Sequence, residues 1–150
     1  MFSPLRLLVR RLCRDKRGAQ LVEFAIVLPI LMLIVMGMVE FGRAYFSWII
    51  ITNGAREGAR VAAVGGDADE VTIRVTSAIS GLNVAGAPSG CPTPPAVQRA
   101  WCIDTDNLQG DPGDPVTVEV RYNFVSIVPG MGILTGPIIT LWAESTMRLE

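Results

Sequence analysis

The sequence contains no histidine. This removes the one side chain whose ordinary pKa lies close to neutrality, the residue most often used as a general base and as a metal ligand. No nucleophile motif and no phosphate-binding glycine loop takes its place. The chain has only three cysteines, too few for a structural zinc site without histidine. Asp104, Asp106, Asp111 and Asp114 crowd one segment, but Leu108 and Gln109 stand where a calcium loop needs an oxygen ligand and a glycine. The expectation there is a solvated acidic loop and no metal. These absences argue against an enzyme and imply no cofactor. The basic end has no aromatic or base-reading module beside it, which argues against a nucleic-acid partner.

What the chain has in excess is apolar residues, 50% of the total, giving a mean hydropathy of +0.42. The excess sits in one block. From Ala19 to Val39 only Gln20 and Glu23 are polar, and about 20 helical residues cover the ~30 Å of a bilayer core. The block is longer than the apolar part of a secretory signal. Pro29 removes one helical donor inside it and crowds the carbonyl of Ala25, so a kink or loosening is expected there. Residues 1–18 hold six cations against Asp15, a net of +5 that leaves −6 for the remainder. Residues 1–12 could form a short amphipathic helix on anionic lipid. Cations clustered beside a span stay cytoplasmic, so the expected orientation is N-in, C-out.

Glu23 is an ionisable group within the span, where it costs roughly 2–3 kcal/mol on insertion scales. It either sits at the cytoplasmic edge, reaching headgroups or Arg17, or has a function. The residues around it, Arg17-Gly18-Ala19-Gln20-Leu21-Val22-Glu23-Phe24, resemble the processing site of type IV prepilins and pseudopilins. The resemblance implies a basic leader cut by a prepilin peptidase after Gly18, with Ala19 as the new N-terminus. Glu23 then stands fifth in the mature chain, followed by Phe24. A carboxylate in low dielectric is a strong partner for the new α-ammonium group, and pairing between neighbouring subunits would set axial register.

Aromatic and basic residues follow the span through Trp48, as expected where a helix leaves lipid. Then Gly54, Gly58 and Ala62 recur every four residues, as do Ala55, Ala59 and Ala63. This small-residue face suits close packing, either on the chain's own domain or as a seam between subunits. Arg56 and Arg60 share the adjacent face with Glu57, and Gly65-Gly66 is a C-cap signal. The stretch is similar to the NGAREGAR-type segment that follows the span in TadE-like proteins of the tight-adherence (Tad) pilus system. With the Gly18/Glu23 junction, the resemblance covers roughly residues 14–66. It implies a minor pilin or pseudopilin whose partners are the membrane, the prepilin peptidase, other pilins and the Tad secretion and assembly proteins.

Beyond residue 66 the expected fold is a small α+β domain. Asp67 as N-cap and Glu70 three residues on form a capping box for a second helix, with Val71, Val75, Ala78 and Ile79 on one face and Gly81 as a stop. Residues 82–115 are rich in turns, with Val97–Ile103 as the one candidate strand. Cys91 and Cys102, paired beyond a span in this loop-rich stretch, read as a disulfide in an oxidising compartment. Val116, Val118, Val120 and Tyr122 alternate with polar residues, and so do Ile139, Leu141, Ala143 and Met147, giving two further strands. The connection from Val125 to Pro137 is apolar, an unusual patch if exposed.

The expected architecture is therefore a basic leader (1–18), a transmembrane helix (19–42), a helical extension (43–66) and an extracytoplasmic α+β domain (67–150) with a two- or three-stranded antiparallel sheet. The expected function is a membrane-anchored minor pilin or pseudopilin that is trimmed and contributes to assembly of an adhesive Tad/Flp-type pilus. Localisation follows as the cytoplasmic (inner) membrane, with incorporation into the pilus left open. The alternative is an unprocessed single-span binding or scaffolding module.

Overall fold

The computed structural model describes residues 16–84, 91, 98–128, 136 and 138–150. The expected leader helix over residues 1–12 and most of the apolar connection between Val125 and Pro137 lie outside the described residues. The described chain forms helix α1 (Lys16–Ala63), helix α2 (Ala68–Ala78) and strands β1 (Trp101–Asp106), β2 (Pro115–Val125) and β3 (Ile138–Arg148). It divides into two compact units, Met1–Val39 and Glu40–Glu150.

In the first unit, α1 is apolar on every side. Leu21, Phe24, Ile26, Ile30, Leu33 and Met38 are all more than half exposed. A helix with no polar face has no aqueous surface to present, so its surroundings must be lipid or other helices. Pro29 lies inside the helix without ending it.

The second unit is built on the remainder of α1. Ile51, Ala55, Ala59 and Ala62 on this part of the helix are fully buried. Gly65 takes φ +84°, and the amides of Gly65 and Gly66 donate to the carbonyls of Ala62 and Val61. These are the two bonds of a Schellman cap, and they satisfy carbonyls that the helix end would leave open. The Glu150 amide donates to the carbonyl of Ala63, satisfying one more. Asp67 caps α2 by accepting a 2.8 Å bond from the Glu70 amide. The helix ends at Ala78, with Ile79 as its C-cap, so Gly81 lies two residues past the C-cap.

The sheet is a meander in the order β1-β2-β3, antiparallel throughout. Val116, Val118, Val120, Tyr122 and Phe124 send β2's inner face into the core with Val71, Val75 and Ile79 of α2, while Thr117, Glu119 and Arg121 face outward. The period-2 reading of β2 and β3 thus holds, and a third strand joins them. That strand differs from expectation. It starts at Trp101 and extends to Asp106, through residues expected in an acidic loop. Asp104 and Asp106 point outward from an edge strand and pair in register with Glu119 and Thr117. The turn that follows is tied internally: Asn107 Nδ2 donates to the Pro115 carbonyl and the Asp111 amide to Asp114 Oδ2. Asp111 and Asp114 remain in that turn.

Candidate functional site

The residues of the junction lie within α1. Gly18 is buried, whereas Ala19, Glu23 and Phe24 are exposed. Gly18 and Ala19 both lie within the described part of α1. Glycine is a weaker helix former than alanine by about 1 kcal/mol, which lowers the cost of opening the backbone at Gly18. Ala19 and Glu23 are four residues apart, hence neighbours along one helix face.

The small-residue stripe is occupied from within the chain. A Cβ placed on Gly54 would stand 2.7 Å from Ile79 Cγ2, and one on Gly58 would stand 2.6 Å from Val75 Cγ2 and 3.1 Å from Val118 Cγ1. The two glycines therefore let α2 and β2 approach α1 more closely than any side chain would permit. Ala62 lies in the same core. Of the two readings open to the stripe, the structure has the chain's own domain against it.

Cys91 and Cys102 form a disulfide with Cα atoms 5.5 Å apart. It ties the turn-rich stretch to the first residues of β1, and closing a loop of this length contributes about 2–3 kcal/mol in the chain-entropy account. Among the described residues, no group of three or more His, Cys, Asp or Glu side chains could hold a metal ion.

Glu40 was not singled out by the sequence, and it is the least expected residue of the site. Directly after the apolar run, its side chain is nearly fully buried. It accepts a 3.0 Å bond from Arg43 Nη1 and a 3.2 Å bond from the Ile127 amide. The Arg43 guanidinium in turn lies 5.1 Å from the centre of the Phe124 ring, a cation–π contact. A buried carboxylate is tolerable only when paired and hydrogen-bonded, and both conditions are met here. The one sequence clue was Arg43 three residues on, an i,i+3 partner. The Ile127 amide is 87 residues away and left no local trace.

Elsewhere on the unit, Glu57 bonds Arg60 at 3.2 Å and Arg74 of α2 at 3.3 Å. Its carboxyl is held below the usual range, chiefly by the Arg60 hydrogen bond and charge. Burial pushes the Tyr122 phenol up, against the opposing pull of Arg99 and Arg43. On the outer sheet face Arg121 forks onto Glu119 with bonds of 2.6 and 2.9 Å, and that hydrogen bonding raises its already high pKa.

The family model described as TadE-like protein matches residues 18–60. The chain carries a TadE-like segment. It begins at the expected cleavage residue and runs through the apolar span, Glu40 and both close-packing glycines. No curated protein and no solved structure is matched by the chain. Among the described residues, the helix that carries this segment is the one element long and apolar enough to cross a membrane, and together with the segment match it supports a single-pass, membrane-associated chain.

Proposed function

We propose that the protein is a minor pilin or pseudopilin precursor, trimmed after Gly18 by a prepilin peptidase and used in assembling an adhesive Tad-type pilus. The observation that carries this reading is the coincidence of three features on one helix. The TadE-like match starts at Gly18, the following residues are apolar all round, and Glu23 is the lone carboxylate among them. The leader stays in the cytoplasm and the Glu40–Glu150 unit lies on the far side of the membrane, in keeping with the +5 charge before the span and with a disulfide after it.

Trimming changes the electrostatics of the helix start. Lys16 and Arg17 directly precede the cut in the sequence and leave with the leader. Removing them leaves a single ammonium at Ala19, which the Glu23 carboxylate of the same or a neighbouring subunit can neutralise. In hydrocarbon that pairing is strong, and between subunits it fixes their axial offset. The peptidase and the neighbouring pilin subunits are the partners this chemistry requires.

The test is the mature N-terminus. Mass spectrometry of the protein from cells containing the peptidase should show Ala19 first, and Gly18→Ala should block or slow the cut while leaving membrane insertion intact. An intact Met1 in those cells would instead identify an untrimmed single-span binding or scaffolding module.

A further inference from the structure

Within the Glu40–Glu150 unit, a cavity of about 210 Å³ is lined by Arg43, Phe46, Leu82, Arg99, Tyr122 and Ile127, with a few neighbours. A water molecule in the liquid takes about 30 Å³, so the space suits a group of several heavy atoms. Its lining is unusual in combining two guanidinium groups with apolar walls. Arg43 is partly neutralised by Glu40 at 3.0 Å and rests on the Phe124 ring. Arg99 has no carboxylate partner among the described residues. Its backbone is nonetheless fixed: the Arg99 amide donates to the Asn123 carbonyl, and the Asn123 amide donates to that of Ala100. Arg99 also holds φ at +61°, a conformation that favours glycine or asparagine, so the backbone there does not call for arginine. Arg43, Arg99 and the Tyr122 phenol all line this one cavity, so the two positive charges border the same space.

The cavity's two cations and Glu40 sum to one net positive charge, the complement of a phosphodiester. Arginine is well suited to that group because its fork of N–H donors matches two phosphate oxygens. Arg43 stands four residues after Val39, the last residue of the apolar run, and four helical residues rise about 6 Å. That is the depth at which lipid phosphates lie beside a spanning helix. We propose that this cavity binds the headgroup phosphate of an anionic phospholipid, with Arg99 and Arg43 holding the phosphate and Phe46, Leu82 and Ile127 covering the adjoining apolar part of the lipid. The inference rests on the membrane-anchored reading and adds a lipid partner to it.

The test uses the full chain in a non-ionic detergent, with native mass spectrometry to count retained lipid. Phosphatidylglycerol and phosphatidylcholine of the same acyl chains are the probes. The wild type should retain one phosphatidylglycerol at least tenfold in preference to phosphatidylcholine. Arg99→Asn, which removes the charge but tolerates the left-handed backbone, should lower that retention about tenfold. Equal retention of the two lipids by the wild type, a comparison that needs no variant, would overturn the site. So would undiminished phosphatidylglycerol binding by a folded Arg99→Asn protein, or its displacement by millimolar inorganic phosphate, which would mark a free-phosphate site instead. Protein released from membranes by alkaline carbonate without detergent would overturn the anchor reading itself, a result separable from these.

Discussion

The two parts of α1 obey different rules although both are rich in apolar residues. Up to Val39 the residues are bulky, the faces are equivalent and the side chains are exposed. From Glu40 onward the helix has sides: a buried stripe of Ile51, Gly54, Ala55, Gly58, Ala59 and Ala62, and an exposed one bearing Arg56 and Arg60. The difference teaches that apolarity and packing are separate properties of a helix. Leucine, isoleucine and methionine in the first part give hydrophobicity without specifying a neighbour. Glycine and alanine in the second contribute little hydrophobic area but define where another element fits, because the shape they leave is matched by Val71, Val75, Ile79 and Val118.

Opposite substitutions should therefore damage the two parts in opposite ways. Ile30→Arg, near the middle of the apolar run, should cost about 2.5–3.5 kcal/mol of insertion free energy. Carbonate extraction should show a reduced integrated fraction, while the Glu40–Glu150 unit of the integrated molecules melts as in the wild type. Gly58→Val should do the reverse. Its branched side chain meets Val75 and Val118, themselves stiff at χ1, and overpacking of this kind costs about 1–3 kcal/mol. Insertion should be unchanged and the circular-dichroism melting temperature in detergent should fall. Equal damage by both variants to both readouts would break the distinction.

The smallest effect sharpens it. Glu57 ties the second part of α1 to α2 through Arg74. Its folded-state pKa is depressed, so its contribution is present above the unfolded pKa, near 4.3 on the model-peptide scale, and is lost as pH falls through the folded value. A Glu57→Gln protein should show a shallower loss of stability on acidification than the wild type, with no difference at neutral pH beyond that of an exposed ion pair. Acid titration followed by urea melts at each pH would measure this. A slope unchanged by the substitution would show that the exposed carboxylate carries no part of the acid limb.

Local signals in the sequence were reliable where the physics is local. Gly65-Gly66 ends a helix because a positive φ and two capping amides are needed within three residues of Ala63. Asp67 starts the next helix because its side chain reaches only as far as the Glu70 amide. The alternation of Val116 to Tyr122 needed nothing beyond the pleat. Where the cause is distant, the residues were silent or ambiguous. Asp104 and Asp106 read as loop because strand preference is weak for aspartate, and it was pairing with β2 that drew them into a strand. The four-residue repeat of Gly54, Gly58 and Ala62 announced close packing without naming the neighbour, since a subunit and a domain core ask the same of a helix face. Glu40 looked like the end of an apolar run until the Ile127 amide was found against it.

The closeness of α2 and β2 to Gly54 and Gly58 has a consequence for recombination. The TadE-like segment ends at residue 60, yet the side chains that fill the space over those two glycines belong to residues 71, 75, 79 and 118. The segment recognisable by family is therefore not a portable part. A chimera that joins residues 18–60 to a foreign domain inherits a socket without its plug, and a functional exchange has to carry the complementary valines and isoleucine with it.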